Sequence, residues 1–338
     1  MADATFHNAG LEGITARLNH RLTTYFPEFC ADPVSVKLAS VAHRSYSSLY
    51  FFDVVQANSD SNRCKGLAVK LFSPESGGCE AARSQYAALT STWPAFQKSP
   101  NLSIPRPLDF FPELSAVVTE KVDGEPLQRL FKKIPAQTSQ LILLNDHAGQ
   151  WLQRFHRTTA LPPDRLDVDN KLQHLEANLD HLRRLGFAEG LCQQLKDSVS
   201  SLAQRLGNVD LAMAGVHGDF TVDNLLVDGD KIIAIDLGGR DRNAVYHDMA
   251  TYINSLMLIR LSWPAGRSLL ERARDAFLAG YFAGEHHNHS AVSFLRLIGL
   301  VSIALEILGR RRDQWLAAWW VRRFFERAFR RLLDEADG

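Results

Sequence analysis

Between Val216 and Gly239 the chain reads VHGDFTVDNLLVDGDKIIAIDLGG, with aspartates at 219, 223, 228, 230 and 236 and an asparagine at 224. The apolar runs NLLV and KIIAI flank an Asp-Gly pair, a strong signal for a tight β-hairpin. This predicts strands over residues 224–227 and 231–235. Asp219 and Asn224 then stand at the entry to the hairpin and Asp236 at its exit on the same side, with Asp228 and Asp230 solvated at the turn. Phosphoryl transfer from ATP needs such a set: a base near the attacking hydroxyl, and carboxylate or amide oxygens to hold Mg2+ against the phosphates. In that chemistry Asp219 is the base and Asn224 and Asp236 are the metal ligands. A solvated acidic turn would use the same residue types, so the surrounding elements must decide.

Upstream, VSVKLAS, SLYFFDVVQA and GLAVKLF are rich in β-branched and aromatic residues and predict an antiparallel meander from Val34 to Phe72. A helix follows from Gly78 to Trp93, with Ala82, Tyr86, Leu89 and Trp93 on one face. IPRPLDFF reads as an extended linker and SAVVTEKV as a further strand. Beyond Asp123 the pattern turns helical: Leu141, Leu144, Ala148, Trp151 and Phe155 mark a helix over 138–157, and leucines at 172, 175, 179 and 182 mark another. Three or four helices follow the hairpin, broken at Pro264, at GEHHNHS and at GRRRD.

The 338 residues carry 38 basic and 38 acidic side chains, which leaves no global field to gather nucleic acid or anionic lipid. Cys30, Cys64, Cys79 and Cys192 are scattered without a CxxC pair, which argues against a zinc site or a disulfide framework and fits a cytoplasmic setting. The N-terminus lacks a basic region followed by an apolar core, and the longest uncharged apolar run, 297–305, is shorter than the ~20 residues of a bilayer crossing. The expectation is therefore a chain that neither leaves the cell nor spans a membrane.

HGDFTVDN followed by IIAIDLGG resembles the catalytic and metal segments of the aminoglycoside phosphotransferase and choline kinase family, relatives of the protein kinases. GLAVKLF resembles that family's lysine strand, VVTEKVDGEPL its hinge, and WLQRFHR around His156 and YHDMATYI around Asp248 its later helices, so that the likeness spans residues 34–283. The resemblance implies an α+β, two-lobed protein kinase-like fold: a small antiparallel β lobe over 1–119, a hinge over 120–123, and a mostly helical lobe over 124–338. It further implies a small-molecule kinase that binds ATP and Mg2+. Lys70 would hold the α- and β-phosphates, the backbone of Glu120 and Val122 would hydrogen-bond adenine, and Asp219, Asn224 and Asp236 would keep the roles given above. The chain departs from the family pattern in two places. The turn before Lys70 is AHRSYSS in place of a glycine-rich loop, so Ser47 and Ser48 would cover the phosphates. The glutamate expected to pair with Lys70 is replaced by Gln85, with Glu80 on the opposite side of the helix. A nucleotide-binding module without transfer is the alternative that these departures favour.

His217 reads as a residue that fixes its loop by hydrogen bonds, and Asp248 either as a helix cap or as a brace for the loop after Asp236. Arg240, Asp241 and Arg242 stand where an acceptor would sit or form a solvated turn. EHHNH at 285–289 lacks a matching second cluster and is set aside as a metal site. The last helix segregates Arg323, Arg327, Arg330 and Arg331 from Val321, Phe325, Ala328, Phe329 and Leu332. This suits closure of the lobe, and it also suits peripheral membrane contact through residues 310–333. An arginine-rich stretch over 240–331 points to a sugar or another neutral or anionic acceptor, since polycationic aminoglycosides call for acidic surroundings. A lipid-linked glycan at a membrane surface is the variant of that reading.

Overall fold

The computed structural model describes residues 2–29, 34–44, 47–56, 65–74, 77–133, 138–238, 241–262, 266–284, 287–310 and 314–337. The chain divides into two compact units. One comprises residues 1–99, 103–124 and 233–239, and the other comprises 100–102, 125–232 and 240–338. The boundary thus falls just beyond the expected hinge, and the segment that carries Asp236 counts with the first unit.

The first unit is built on a five-stranded sheet in the order β1 (Val34–His43), β2 (Ser47–Gln56), β3 (Lys65–Phe72), β6 (Ala116–Glu120) and β5 (Pro107–Phe111), antiparallel throughout. Successive side chains in a strand point to opposite faces. Tyr50, Phe52 and Val54 of β2, Leu67 and Val69 of β3, and Ala116 and Val118 of β6 therefore share one face, and they form a single buried cluster with Ile14, Leu18, Leu22 and Phe26. Apart from Phe26, which follows it, those last residues lie on α1 (Ala2–Tyr25). No element was expected there from the sequence. In β3 the alternation that buries Leu67 and Val69 against α1 sends Ala68 and Lys70 to the opposite face. Helix α2 (Gly78–Phe96) packs against β3, β5 and β6.

The second unit is mostly helical: α4 (Thr138–Thr158), α5 (Val168–Arg184), α6 (Glu189–Leu206), α7 (Tyr246–Ser262), α8 (Arg267–Phe282), α9 (His289–Gly309) and α10 (Trp315–Asp337). Its sheets are small. β8 (Ala160–Arg165) and β12 (Arg242–Ala244) flank β9 (Asp210–Gly215), and β7 (Glu125–Pro126) pairs with β10 (Leu225–Asp228), the first strand of the expected hairpin. The second hairpin strand, β11, spans Lys231–Ala234. The main core collects apolar faces of α5, α6, α9 and α10. Val321, Phe325, Ala328, Phe329 and Leu332, the apolar face expected for the last helix, are buried in it. Helix α9 is long and apolar enough by composition to cross a membrane, yet half of that stretch is buried, and eight of its apolar side chains, from Ala291 to Leu308, are buried in the same core.

Helices α4 and α8 meet at two glycines. A Cβ on Gly280 would stand 2.1 Å from the backbone oxygen of Asp146, and one on Gly149 would stand 2.1 Å from that of Phe277. The backbones therefore approach as closely as only hydrogen at Cα permits. Because the clash is with backbone, it cannot be relieved by a rotamer change. Gly280→Val is expected to destabilise the protein by about 3 kcal/mol or more, measured as a lowered urea midpoint.

Candidate functional site

In the second unit the loop from Val216 to Asn224 is held from below and displays its polar residues outward. Phe220 is fully buried and stacks on Trp151, with centroids 5.4 Å apart and planes at 19°, and Trp151 stacks in turn on Phe155. The imidazole of His217 stands edge-on to these three rings. Gly218 adopts φ +85°, a conformation costly for any residue with a Cβ, and this turns two successive amides the same way. His217 N and Gly218 N donate to the two oxygens of Asp248 at 2.7 and 2.9 Å. Val222 N donates to Ser255 Oγ at 3.2 Å.

With Phe220 turned inward, Asp219 is exposed. The Asn224 side-chain amide donates to Asp219 Oδ2 at 2.8 Å and to the Asp219 carbonyl at 2.9 Å. Its nitrogen is committed to Asp219, so its oxygen is the atom left to face a cation.

Asp248, in the first turn of α7, is completely buried. Besides the two amides it accepts from His156 Nε2 at 2.9 Å. A carboxylate only accepts, so Nε2 carries the hydrogen, and in the neutral ring Nδ1 accepts from the Tyr281 hydroxyl, 2.9 Å away. Burial pushes the Asp248 carboxyl up. The hydrogen bond from His156 and the nearby imidazoles of His247 and His217 outweigh it and hold the group well below the ordinary aspartate range. Burial pushes the Tyr281 phenol up. The brace that the sequence assigned to the loop after Asp236 thus acts on the loop before Asp219, because the amides freed by Gly218 are those within reach.

In the first unit the Lys70 ammonium forms an ion pair with Asp236 and lies over the Phe72 ring, 4.8 Å from its centroid. Gln85, buried on α2, is not the direct partner of Lys70 that the sequence suggested: its Nε2 donates to Asp236 Oδ1 at 3.1 Å and to the Leu237 carbonyl at 3.2 Å. Glu80 is exposed and 3.9 Å from Arg83. Asp236 itself has φ +60°, a left-handed conformation that aspartate tolerates better than most residues and that recurs where a site stores strain.

Ser47 and Ser48 begin β2, opposite Phe72 and Leu71 in register, and Ser48 Oγ is 3.0 Å from His43 Nδ1. Glu120 ends β6 with its carboxylate 3.1 Å from Lys65 Nζ, and Val122 lies half-buried in the irregular segment that follows. Lys70, Gln85 and Asp236 are thus joined in the first unit, and Asp219 and Asn224 in the second.

Arg240, Cys30, Cys64, Glu285 and His286 lie outside the described residues. Arg242 is tied to Asp164 at 2.6 Å. His287 stacks on Phe282. Among the described residues no three His, Cys, Asp or Glu side chains converge as a metal site. Asn224 offers an amide oxygen in the second unit and Asp236 a carboxylate oxygen in the first, each a hard oxygen of the type that suits Mg2+, which takes few protein ligands and completes its shell with water and phosphate oxygens.

Residues 52–295 match the family described as phosphotransferase enzyme family. Among solved structures, a glucosamine kinase bound to glucosamine, ADP and inorganic phosphate shares 15% identity at a TM-score of 0.57, over 92% of this chain and 96% of that one. A choline/ethanolamine kinase family protein from Mesorhizobium loti shares 15% at 0.54, over 95% and 98%. A thermostable aminoglycoside phosphotransferase mutant bound to AMP-PNP and hygromycin B shares 13% at 0.53, over 93% and 98%. At these identities the likeness is one of fold, the kinase-like α+β fold. No curated protein matches the chain.

Asp248→Asn preserves shape but sets an NH2 group against N–H donors, at a cost of about 2–4 kcal/mol at neutral pH. A depressed carboxyl stabilises the fold above its unfolded pKa and loses that contribution as pH falls. The stability gap between wild type and Asp248→Asn, read from denaturant midpoints, is therefore expected to be constant above about pH 5 and to shrink steadily below about pH 4.

Proposed function

This chain belongs to the phosphotransferase enzyme family, and from that premise we propose that it moves the γ-phosphoryl group of Mg-ATP to a hydroxyl of a small molecule, a sugar or another neutral or anionic metabolite. The observation that carries this reading is the Asp219–Asn224 pair on a loop braced by a buried carboxylate. Asp219 is exposed, so its carboxylate can orient an acceptor hydroxyl and take its proton as the phosphoryl group departs. Asn224 limits its rotation. A bound Mg2+ would neutralise phosphate charge, held by the oxygens of Asn224 and Asp236. Lys70, now paired with Asp236, is the cation that ATP phosphates would engage, and Gln85 would keep Asp236 placed as Lys70 shifts partner. Ser47 and Ser48, at the start of the strand beside β3, would cover the phosphates, and the backbone at Glu120 and Val122 would receive adenine.

The acceptor class rests on charge. The second unit lines its helices with arginine, which opposes a polycationic acceptor and favours a neutral or anionic one. The glucosamine in the glucosamine kinase complex is consistent with a sugar-sized acceptor.

A second element of the reading concerns α10. Leu316, Trp319 and Trp320 are 62%, 50% and 43% exposed, the three highest values among the large apolar side chains of the described residues. They occupy the first turns of one helix face, and the exposed Arg323, Arg327 and Arg330 continue that face. Tryptophan rings beside arginines suit the boundary of an anionic bilayer, where the rings enter the interface and the guanidiniums meet headgroups. We assign this face to peripheral membrane contact, which would bring the enzyme to an acceptor presented at a cytoplasmic membrane surface.

Asp219→Ala is expected to lower transfer of labelled γ-phosphate to a soluble sugar and amine set by at least ~100-fold while ATP still binds. Near-normal turnover would remove Asp219 from the chemistry. Trp319→Ser with Trp320→Ser is expected to abolish co-sedimentation with vesicles containing phosphatidylglycerol and to leave transfer to soluble acceptors intact. Unchanged sedimentation would show that this face does not meet lipid.

A further inference from the structure

A hollow of about 50 Å3 opens where α7, α8, α9 and α10 meet, and it contains none of the residues that the proposed function uses. Its floor is apolar, and five arginines line it: Arg260, Arg267, Arg274, Arg296 and Arg331. A water needs ~10–15 Å3 of such space, so the hollow has room for the few oxygens of a small oxyanion.

The charges around it do not balance. Glu271 serves Arg267 at 2.9 Å and Arg331 at 2.5 Å. Glu335 alone serves three arginines: Arg296 and Arg331 at 3.1 Å each, and Arg274 at 3.8 Å. Asp275 is the remaining carboxylate in contact, 2.9 Å from Arg274. Arg260 has no ion-pair partner among the described residues. Five guanidiniums therefore face three carboxylates, an excess of two positive charges.

Arg296 sharpens the imbalance. Its side chain is 10% exposed, and its buried Nε has no hydrogen-bond partner. Burial pulls this guanidinium down from its ordinary pKa, Glu335 opposes that, and Arg274 and Arg331 add to the lowering. A network serving only to fasten α8 and α9 to α10 would gain nothing from crowding three arginines on one glutamate, since each unmatched charge in a half-enclosed place costs desolvation and repulsion.

We propose that this hollow is a binding site for a phosphate-bearing anion. A phosphate group near neutral pH carries about 1.5 to 2 negative charges, which matches the excess, and its oxygens suit the forked donors of arginine. The apolar floor would accept a nonpolar body attached to the phosphate. That group can belong to a free phosphorylated metabolite or to a lipid headgroup. The inference is independent of the phosphotransfer reading.

The test is differential thermal unfolding of the full chain without nucleotide, in low-millimolar inorganic phosphate against chloride at equal ionic strength, where general salting-out is small. Wild type is expected to gain about 2 °C or more, saturably. Arg274→Ala, on the partly exposed rim, and Arg296→Gln are each expected to lose that gain while keeping the shift caused by ATP. If Arg296→Gln does not fold, Arg274→Ala decides. In a second arm, vesicles containing phosphatidic acid identify the source: weaker sedimentation of Arg274→Ala than of wild type assigns the phosphate to lipid, and equal sedimentation with a lost phosphate shift assigns it to a soluble metabolite. No saturable gain in wild type, or the same gain in the variants, would overturn the proposal.

Discussion

In the second unit, the loop that carries Asp219 depends on one buried charge. Asp248 is fully enclosed, and an enclosed carboxylate without partners would be strongly unfavourable. It is tolerated because two backbone amides and an imidazole converge on it, and those amides belong to the residues before Asp219. The fold's need to satisfy a buried anion and the site's need for a fixed loop are met by the same bonds. Gly218 makes this geometry accessible, and Phe220, driven into the aromatic layer beneath, leaves Asp219 no direction but outward.

The first unit solves the same problem on a sheet. Burying Leu67 and Val69 against α1 fixes which face Lys70 occupies, so the position of this cation follows from the packing of its neighbours. Asp236 is held in a left-handed conformation between Lys70 and Gln85. A neutral amide at position 85 leaves the lysine with one carboxylate partner there in place of two. On the proposed reading, a polyphosphate competing for Lys70 would have one ion pair to displace, and the amide hydrogen bond would remain to position the aspartate.

Local patterns in the sequence were enough for the meander, the hairpin and the helix faces, because alternation and helical spacing are written in consecutive residues. What escaped them was of two kinds. Helix α1 carries Leu11, Ile14, Leu18 and Leu22 at helical spacing, a legible signal obscured by glycines at 10 and 13 and threonines at 23 and 24. β8 reads as a loop because of Pro162 and Pro163, and it is tolerated as a strand because it lies at a sheet edge, where the missing amides cost no ladder bond. The other kind is tertiary. That Asp248 meets His156 across 92 residues, or that Gln85 reaches Asp236 across 151, is fixed by packing and has no local signature. Resemblance located both segments in the sequence without showing which atoms they bind.

Formal neutrality was equally silent about placement. Equal counts of acids and bases exclude a strong global field, yet a local excess persists wherever the fold crowds like charges. Helix α10 shows how one element divides its arginines. Arg331 faces inward to share carboxylates on α8 and with Glu335, whereas Arg323, Arg327 and Arg330 extend the exposed tryptophan face. Crowding around Glu335 on the inner side, and tryptophans exposed beside arginines on the outer side, are both arrangements that burial and charge pairing alone would disfavour.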